Sequence, residues 1–248
     1  MERRDPAPVA TFFSPDPIGA GQTALLGEEV AHHMRVRRLE LGDTVRLIDG
    51  TGALALGVLR RLAKGSAHVE VGTDIEQVPP QPDIHLLVPV ADRDRMLWLA
   101  EKVAELGVAS WRPVAWRRSR SVSPRGEGAT FHAKVRARMV GALEQSGNAW
   151  MPTLYPDAPV DRALVALPQG TRLLLSAEGD PILRTFAGSA AATAPLIMAV
   201  GPEGGMEDDE VERFTSAGFR PVALGATTLR FETAALAALA VVRAALMS

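Results

Sequence analysis

An α/β protein, with a small β-barrel leading into a parallel sheet covered by helices on both faces, is what three features of this sequence predict. The composition breaks at a proline-rich joint, Val78-Pro-Pro-Gln-Pro-Asp83. Short β-type runs separated by turn residues recur before the joint. After it, apolar strand-like runs alternate with helical stripes, the pattern of a parallel sheet.

The elements follow in order. Residues 27–39 read as a short helix, with Val30 and Met34 on one face, acidic residues early and basic ones late. The β-type runs are 44–49, 53–59 and 67–71, punctuated by Gly42-Asp43, Asp49-Gly50-Thr51-Gly52 and Lys64-Gly65-Ser66. Past the joint, 84–90 is an almost unbroken apolar run, as a strand covered on both faces requires. Residues 94–106 carry a broad helical stripe closed by Gly107 as C-cap. Strand 111–116, helix 129–145, strand 172–176, short helix 181–186 and strand 195–200 come next. Helix 206–217, strand 221–224 and helix 232–247 complete the set.

With 248 residues and 47% hydrophobic content, the chain can bury one large core or two smaller ones. It has no cysteine, which excludes disulfides, thiolate metal sites and a cysteine nucleophile, and fits a reducing compartment such as the cytoplasm. No signal-peptide pattern or 18-residue uncharged apolar stretch is present, so no membrane span is expected. The net charge of −2 conceals an asymmetry: residues 93–138 hold 11 Lys/Arg against 4 Asp/Glu, whereas 139–248 hold 7 against 12. A basic middle in a mildly acidic chain points to a polyanion on one face, or else to a solvated arginine-rich surface.

Chemistry concentrates in three strand-to-turn segments: Leu173-Leu-Leu-Ser-Ala-Glu-Gly179, Ala199-Val-Gly-Pro-Glu-Gly-Gly205 and Ala223-Leu-Gly-Ala226. Glycine lets bare backbone approach a ligand, and ligands of such sheets sit at the carboxyl ends of strands. Lying together, the three turns make a cup of main-chain N–H and C=O groups suited to an adenosine-like molecule. None has the spacing of ordinary dinucleotide or phosphate loops. The acidic run Met206-Glu-Asp-Asp-Glu-Val is read as a helix start favoured by the dipole, not as a metal site. His32 and His33 point apart on a helix and no other cluster completes a ligand set, so no metal is expected. All five histidines precede residue 133 and no serine sits in a nucleophile turn, which argues against a Ser-His-Asp hydrolase.

Val-Gly-Pro-Glu-Gly-Gly at 200–205 and Leu-Gly-x-x-x-Leu-Arg-x-Glu-Thr-Ala at 224–234 resemble the signature pair of the ribosomal RNA small subunit methyltransferase E family. Phe12-Phe13, the segment from His32 to Val36 with Gly42-Asp43, Glu101-Lys-x-x-Glu-Leu-Gly107, Arg118-Ser-x-Ser-Val122 and Glu144-Gln-Ser-Gly147 are similar to family segments in the same order. The resemblance implies a SPOUT-class enzyme that uses S-adenosylmethionine to form 3-methyluridine in small-subunit (16S) ribosomal RNA. It implies a PUA-like RNA-binding β-barrel over 1–77 and a trefoil-knotted parallel-sheet domain over 81–248. A homodimer, and free RNA or the assembled small subunit as substrate, are implied as well.

Carried onto this sequence, the cofactor residues are Leu175, Ser176, Glu178, Val200, Gly201, Gly204, Gly205, Leu224, Gly225, Thr228, Leu229 and Arg230. The chain departs from the family pattern at Thr11, Asn148 and Thr227, where arginine is common, and at Phe231, where threonine is common. Attack of uracil N3 on a sulfonium methyl needs the N3 proton removed or the anion stabilised. Arg230 is the first candidate to stabilise the anion; Glu232 is either a base or an orienting partner, and Glu203 is the third candidate. RNA contacts are expected from Arg35, Arg37 and Arg38 and from Arg117, Arg118 and Arg120 in the basic middle. Methylation of another RNA atom (a ribose 2′-OH or a tRNA base) and a non-catalytic RNA-binding ribosome factor stay open as alternatives.

Overall fold

The computed structural model describes residues 10–121, 124–165, 167–186 and 195–246. Val122 and Met247, which belong to a quoted segment and to an expected helix, lie outside them. The chain divides into two compact units, Met1–Pro80 with Val140–Met151, and Gln81–Met139 with Pro152–Ser248.

In the first unit a five-stranded sheet curls around an apolar core. Its strands are β1 (Thr11–Phe13), β2 (Thr23–Leu26), β3 (Thr44–Ile48), β4 (Ala53–Leu62) and β5 (Ala67–Gln77), in the order β1-β3-β4-β5-β2. Only β1 and β3 run parallel. Register shifts between Ala55 and Gly57 and between Leu59 and Arg61 bend the long β4–β5 pair, as bulges do. Phe12, Leu26, Met34, Leu47, Leu59 and Val69 fill the interior. Phe12-Phe13 and Glu144-Gln-Ser-Gly147, far apart in sequence, meet here: the Phe13 N–H donates to Glu144 Oε1 at 3.0 Å.

Helix α1 (Glu28–Val36) is shorter than the 27–39 expected. It ends in a Schellman pattern, with Leu39 N–H donating to the Met34 carbonyl and Arg38 N–H to that of Arg35. Arg38 occupies the left-handed position of that motif at φ +59, where glycine is usual.

The second unit carries the parallel sheet. Its strands are β6 (Ile84–Pro89), β7 (Ser110–Ala115), β8 (Thr153–Leu154), β9 (Ala158–Pro159), β10 (Thr171–Pro181), β11 (Leu196–Val200) and β12 (Arg220–Ala223). The order is β12-β10-β11-β6-β7-β8, with β9 also on β7, and every pair is parallel. Its helices are α2 (Arg93–Glu105), α3 (Ala129–Ser146, which runs on into the segment assigned to the first unit), α4 (Val160–Val165), α5 (Ile182–Phe186), α6 (Asp208–Ser216) and α7 (Phe231–Leu246). All five residues of β11 are buried, which is why that run is continuously apolar. Among the described residues no helix is long and apolar enough to cross a membrane.

Gly107, at φ +68, closes α2 as expected. The negative end of that helix then meets Arg243 of α7. That residue is 6% exposed, and its guanidinium donates to the carbonyls of Leu106, Gly107 and Pro82 at 3.2, 2.6 and 2.7 Å. Burial lowers the Arg243 pKa, so the carbonyls and the dipole compensate a real desolvation cost. Arg243→Met should strand these carbonyls and destabilise the fold by about 2–4 kcal/mol, read as a lower urea midpoint with unchanged slope.

Candidate active site

Strands β11, β10 and β12 are neighbours, so their C-terminal turns meet at one edge of the second unit. Around them lies a cavity of about 390 Å³. Its wall is built from Leu175 to Glu178, from Val200 to Glu203 with Gly205 and Met206, and from Leu224, Gly225 and Thr227 to Leu229, with Asp208, Val211, Val222, Phe231 and Ala234. Of the proposed cofactor residues, Gly204 and Arg230 are outside this lining.

A looped-out strand forms the first wall. Val222 of β12 pairs with both Leu175 and Asp180, so residues 176–179 bulge out of β10 and over the cavity. Gly179 makes the bulge possible: a Cβ there would overlap the main chain of β12, 2.5 Å from the Pro221 carbonyl carbon. Gly179→Ala should therefore pull β10 and β12 apart, lowering stability by about 1–3 kcal/mol and weakening ligand binding in parallel; a calorimetric scan and a ligand titration on one sample check both.

The second wall is the Gly-Pro-Glu-Gly-Gly turn leading into α6. The helix starts at Asp208, not Met206, behind a capping box. Glu207 is the N-cap, Glu210 N–H reaches back to the Glu207 side chain, and Glu207 N–H donates to Glu210 Oε2 at 3.0 Å. Glu210, 2% exposed, also accepts from Arg117 N–H at 2.9 Å. The acidic run is thus a helix start, and among the described residues no metal-binding cluster occurs. At Gly201 a Cβ would run into the Met206 side chain, 2.8 Å from its Cγ.

The third wall, 224–229, enters α7. Gly225 shares a φ outside the left-handed region with Gly179 and Gly201 but differs from them in space: a Cβ there would meet no protein atom within 4 Å. Neither backbone conformation nor packing calls for glycine at this position.

Beside the cup the candidate catalytic groups form a charge cluster organised by Arg95, a residue the sequence reading did not single out. Arg95 opens α2, where its N–H donates to the Asp92 cap. Its guanidinium grips Glu203 with both Nη atoms, one of them at 3.0 Å, and comes within 3.6 Å of Glu232 Oε2. It also faces the Phe231 ring at 5.4 Å, so the phenylalanine that departs from the family pattern supplies a cation–π surface. The hydrogen bond to Arg95 lowers the Glu203 pKa, making Glu203 a poor proton acceptor. Glu232 is 9% exposed and its Oε2 has no hydrogen-bond partner. Arg230 is exposed at the rim, close enough to help lower the Glu203 pKa.

The proposed RNA contacts divide. Arg35 donates to the carbonyls of Ala63 and Lys64, while Arg37 and Arg38 are exposed. Arg117 pairs with Asp209 and sits 3.9 Å from Glu210. Arg118 binds Glu207 and the Gly204 carbonyl. Arg120 belongs to the same 3-10 turn, Arg117–Ser121, and its side chain lies outside the described residues.

A family model described as an RNA methyltransferase domain matches residues 79–243, and one described as an RNA methyltransferase PUA domain matches 26–72. A protein of Mycobacterium bovis named ribosomal RNA small subunit methyltransferase E is 30% identical over 243 residues, covering 94% of this chain and 91% of the relative. The protein of that name from Synechocystis is 27% identical, covering 95% and 77%. Among solved structures, the Neisseria gonorrhoeae protein of that name, bound to S-adenosyl methionine, superposes with TM-score 0.83 at 29% identity, covering 95% of this chain and 97% of its own. A Legionella pneumophila methyltransferase with the same cofactor gives TM-score 0.82 at 26% identity, covering 96% and 98%.

Proposed function

Because the chain belongs to the ribosomal RNA small subunit methyltransferase E family, we propose that it methylates N3 of a uridine in small-subunit ribosomal RNA with S-adenosylmethionine as donor. The observation that carries the reading is the main-chain cup at the ends of β10, β11 and β12. Its volume falls in the range of about 300–1,000 Å³ typical of small-molecule sites. Its walls offer backbone groups, and at Gly225, which lines the cavity, the protein leaves open space in which a ligand would lie against bare backbone. Leu175, Ser176, Glu178, Val200, Gly201, Gly205, Leu224, Gly225, Thr228 and Leu229 would hold the cofactor. S-adenosylmethionine bound there supplies an electrophilic sulfonium methyl.

The chain's own residues then have to manage the uracil proton. Losing it places negative charge on the ring and its carbonyl oxygens, and the exposed Arg230 guanidinium at the rim is available to stabilise that charge. Glu232, which Arg95 approaches only to 3.6 Å and whose Oε2 accepts no hydrogen bond, is the better placed of the two acids to take the proton or to orient the base. Glu203 is committed to Arg95.

RNA binding is assigned to the PUA-like domain, proposed as 1–77, and to the basic middle of the methyltransferase domain, proposed as 81–248. Arg38 supports the first assignment. A non-glycine residue held at positive φ costs about 1 kcal/mol, and its exposed charge is a functional reason to retain it. A homodimer acting in the cytoplasm completes the proposal. Nucleoside mass mapping of small-subunit RNA from a strain lacking the gene tests it: 3-methyluridine should disappear, and an unchanged level refutes the assignment.

A further inference from the structure

The Gly-Pro-Glu-Gly-Gly turn is gripped from two sides by arginines that lie outside both signature segments. From α2, Arg95 forks onto Glu203. From the 3-10 turn after β7, Arg118 lies along the turn's glycines. Its Nη1 donates to the Gly204 carbonyl at 2.7 Å, and its Nε and Nη2 hold Glu207 at 2.9 and 3.2 Å.

The glycines account for themselves in this arrangement. A Cβ on Gly204 would lie 3.2 Å from Arg118 Cβ, and one on Gly205, already at φ +77, would lie 3.2 Å from Arg118 Nη1. The glycine pair of the signature thus admits the arginine as well as shaping the turn. Both cations have raised pKa values, chiefly from hydrogen bonds to their carboxylate partners, Glu203 and Glu207, whose pKa values are lowered in turn. Each guanidinium meets its carboxylate with two donors, a geometry that fixes orientation as well as distance.

We propose that Arg95 and Arg118 form a clamp of positioning residues that pre-sets the Gly-Pro-Glu-Gly-Gly wall for cofactor binding, so that Arg118 serves the cofactor pocket rather than an RNA phosphate. The proposal rests on the cup being the S-adenosylmethionine site. Pre-setting removes the ordering cost of that wall, so loosening it shows up as lost affinity.

The test is calorimetric titration of S-adenosylmethionine into the full chain without RNA, alongside thermal melts. Arg95→Met and Arg118→Met should each weaken binding by about tenfold or more. Arg118→Lys, which keeps the charge but loses the fork, should recover only part of the affinity with an unchanged melting temperature. The swap Arg118→Glu with Glu207→Arg should recover more than either single change. If the Met variants do not fold, the Lys variant decides: wild-type affinity there overturns the proposal. So does an Arg118→Met protein that binds cofactor normally but shows weaker RNA binding with a shallower salt slope, which makes Arg118 a phosphate ligand. Failure of the wild-type chain to bind S-adenosylmethionine overturns the function reading and the clamp together.

Discussion

Arg230→Ala should lower methyl transfer by about 10²–10³-fold while leaving affinity for S-adenosylmethionine within about twofold of the wild type. The split follows from where the residue stands. Arg230 ends the third loop of the cup, one residue before α7, and its side chain is exposed and outside the cavity lining. Among the described residues it forms no ion pair, in contrast to Arg95, Arg117 and Arg118. A cation held at a rim without a fixed partner is available to a substrate that becomes anionic. Its contribution grows as the N3 proton leaves, so it acts on the transition state more than on the bound cofactor. Single-turnover rates with cofactor saturating, set beside a calorimetric Kd, separate the two effects. Equal losses in rate and affinity would place Arg230 in the cofactor site.

Gly225→Val should abolish cofactor binding, a loss of at least about a hundredfold or about 2.8 kcal/mol, with no change in thermal stability. No protein atom obstructs a side chain at Gly225, and the backbone there is in a conformation open to any residue. The fold should therefore accept valine without strain. What valine does take is space bordering the cup, where the ligand would lie against bare backbone. The contrast with Gly179 is diagnostic: a side chain there strikes the backbone of β12, so stability and binding fall together. A Gly225→Val protein that binds as well as wild type would mean that this wall faces only solvent.

The α/β fold, with its small N-terminal sheet and its parallel sheet, was legible because its signals are local. Proline at the joint, glycine at the strand ends and unbroken apolar runs such as 196–200 report on their own neighbourhood. The same locality made the three turns readable, since a strand that stops at glycine before a helix start marks a loop whatever surrounds it.

What escaped was non-local. The two-residue strands β8 and β9 are too short for any period, and β5 runs on to Gln77 through a polar stretch because β4 pairs with it. Nothing in Val140–Met151 announces that it packs with the N-terminal unit. Arg95 stood in an Asp-Arg-Asp-Arg run that reads as a solvated helix start; its importance comes from Glu203, over a hundred residues away. The basic run that carries Arg118 likewise does not say which carboxylates face it. The Glu207 partner of Arg118 belongs to the acidic run read separately as a helix start.

A crystal structure of the chain with S-adenosylmethionine, or with its demethylated product, tests the central claim most directly. Ligand density should lie among 175–178, 200–206 and 224–229, with the main chain of those three loops making the polar contacts. Density elsewhere, or crystals that stay empty at saturating ligand, would contradict the account.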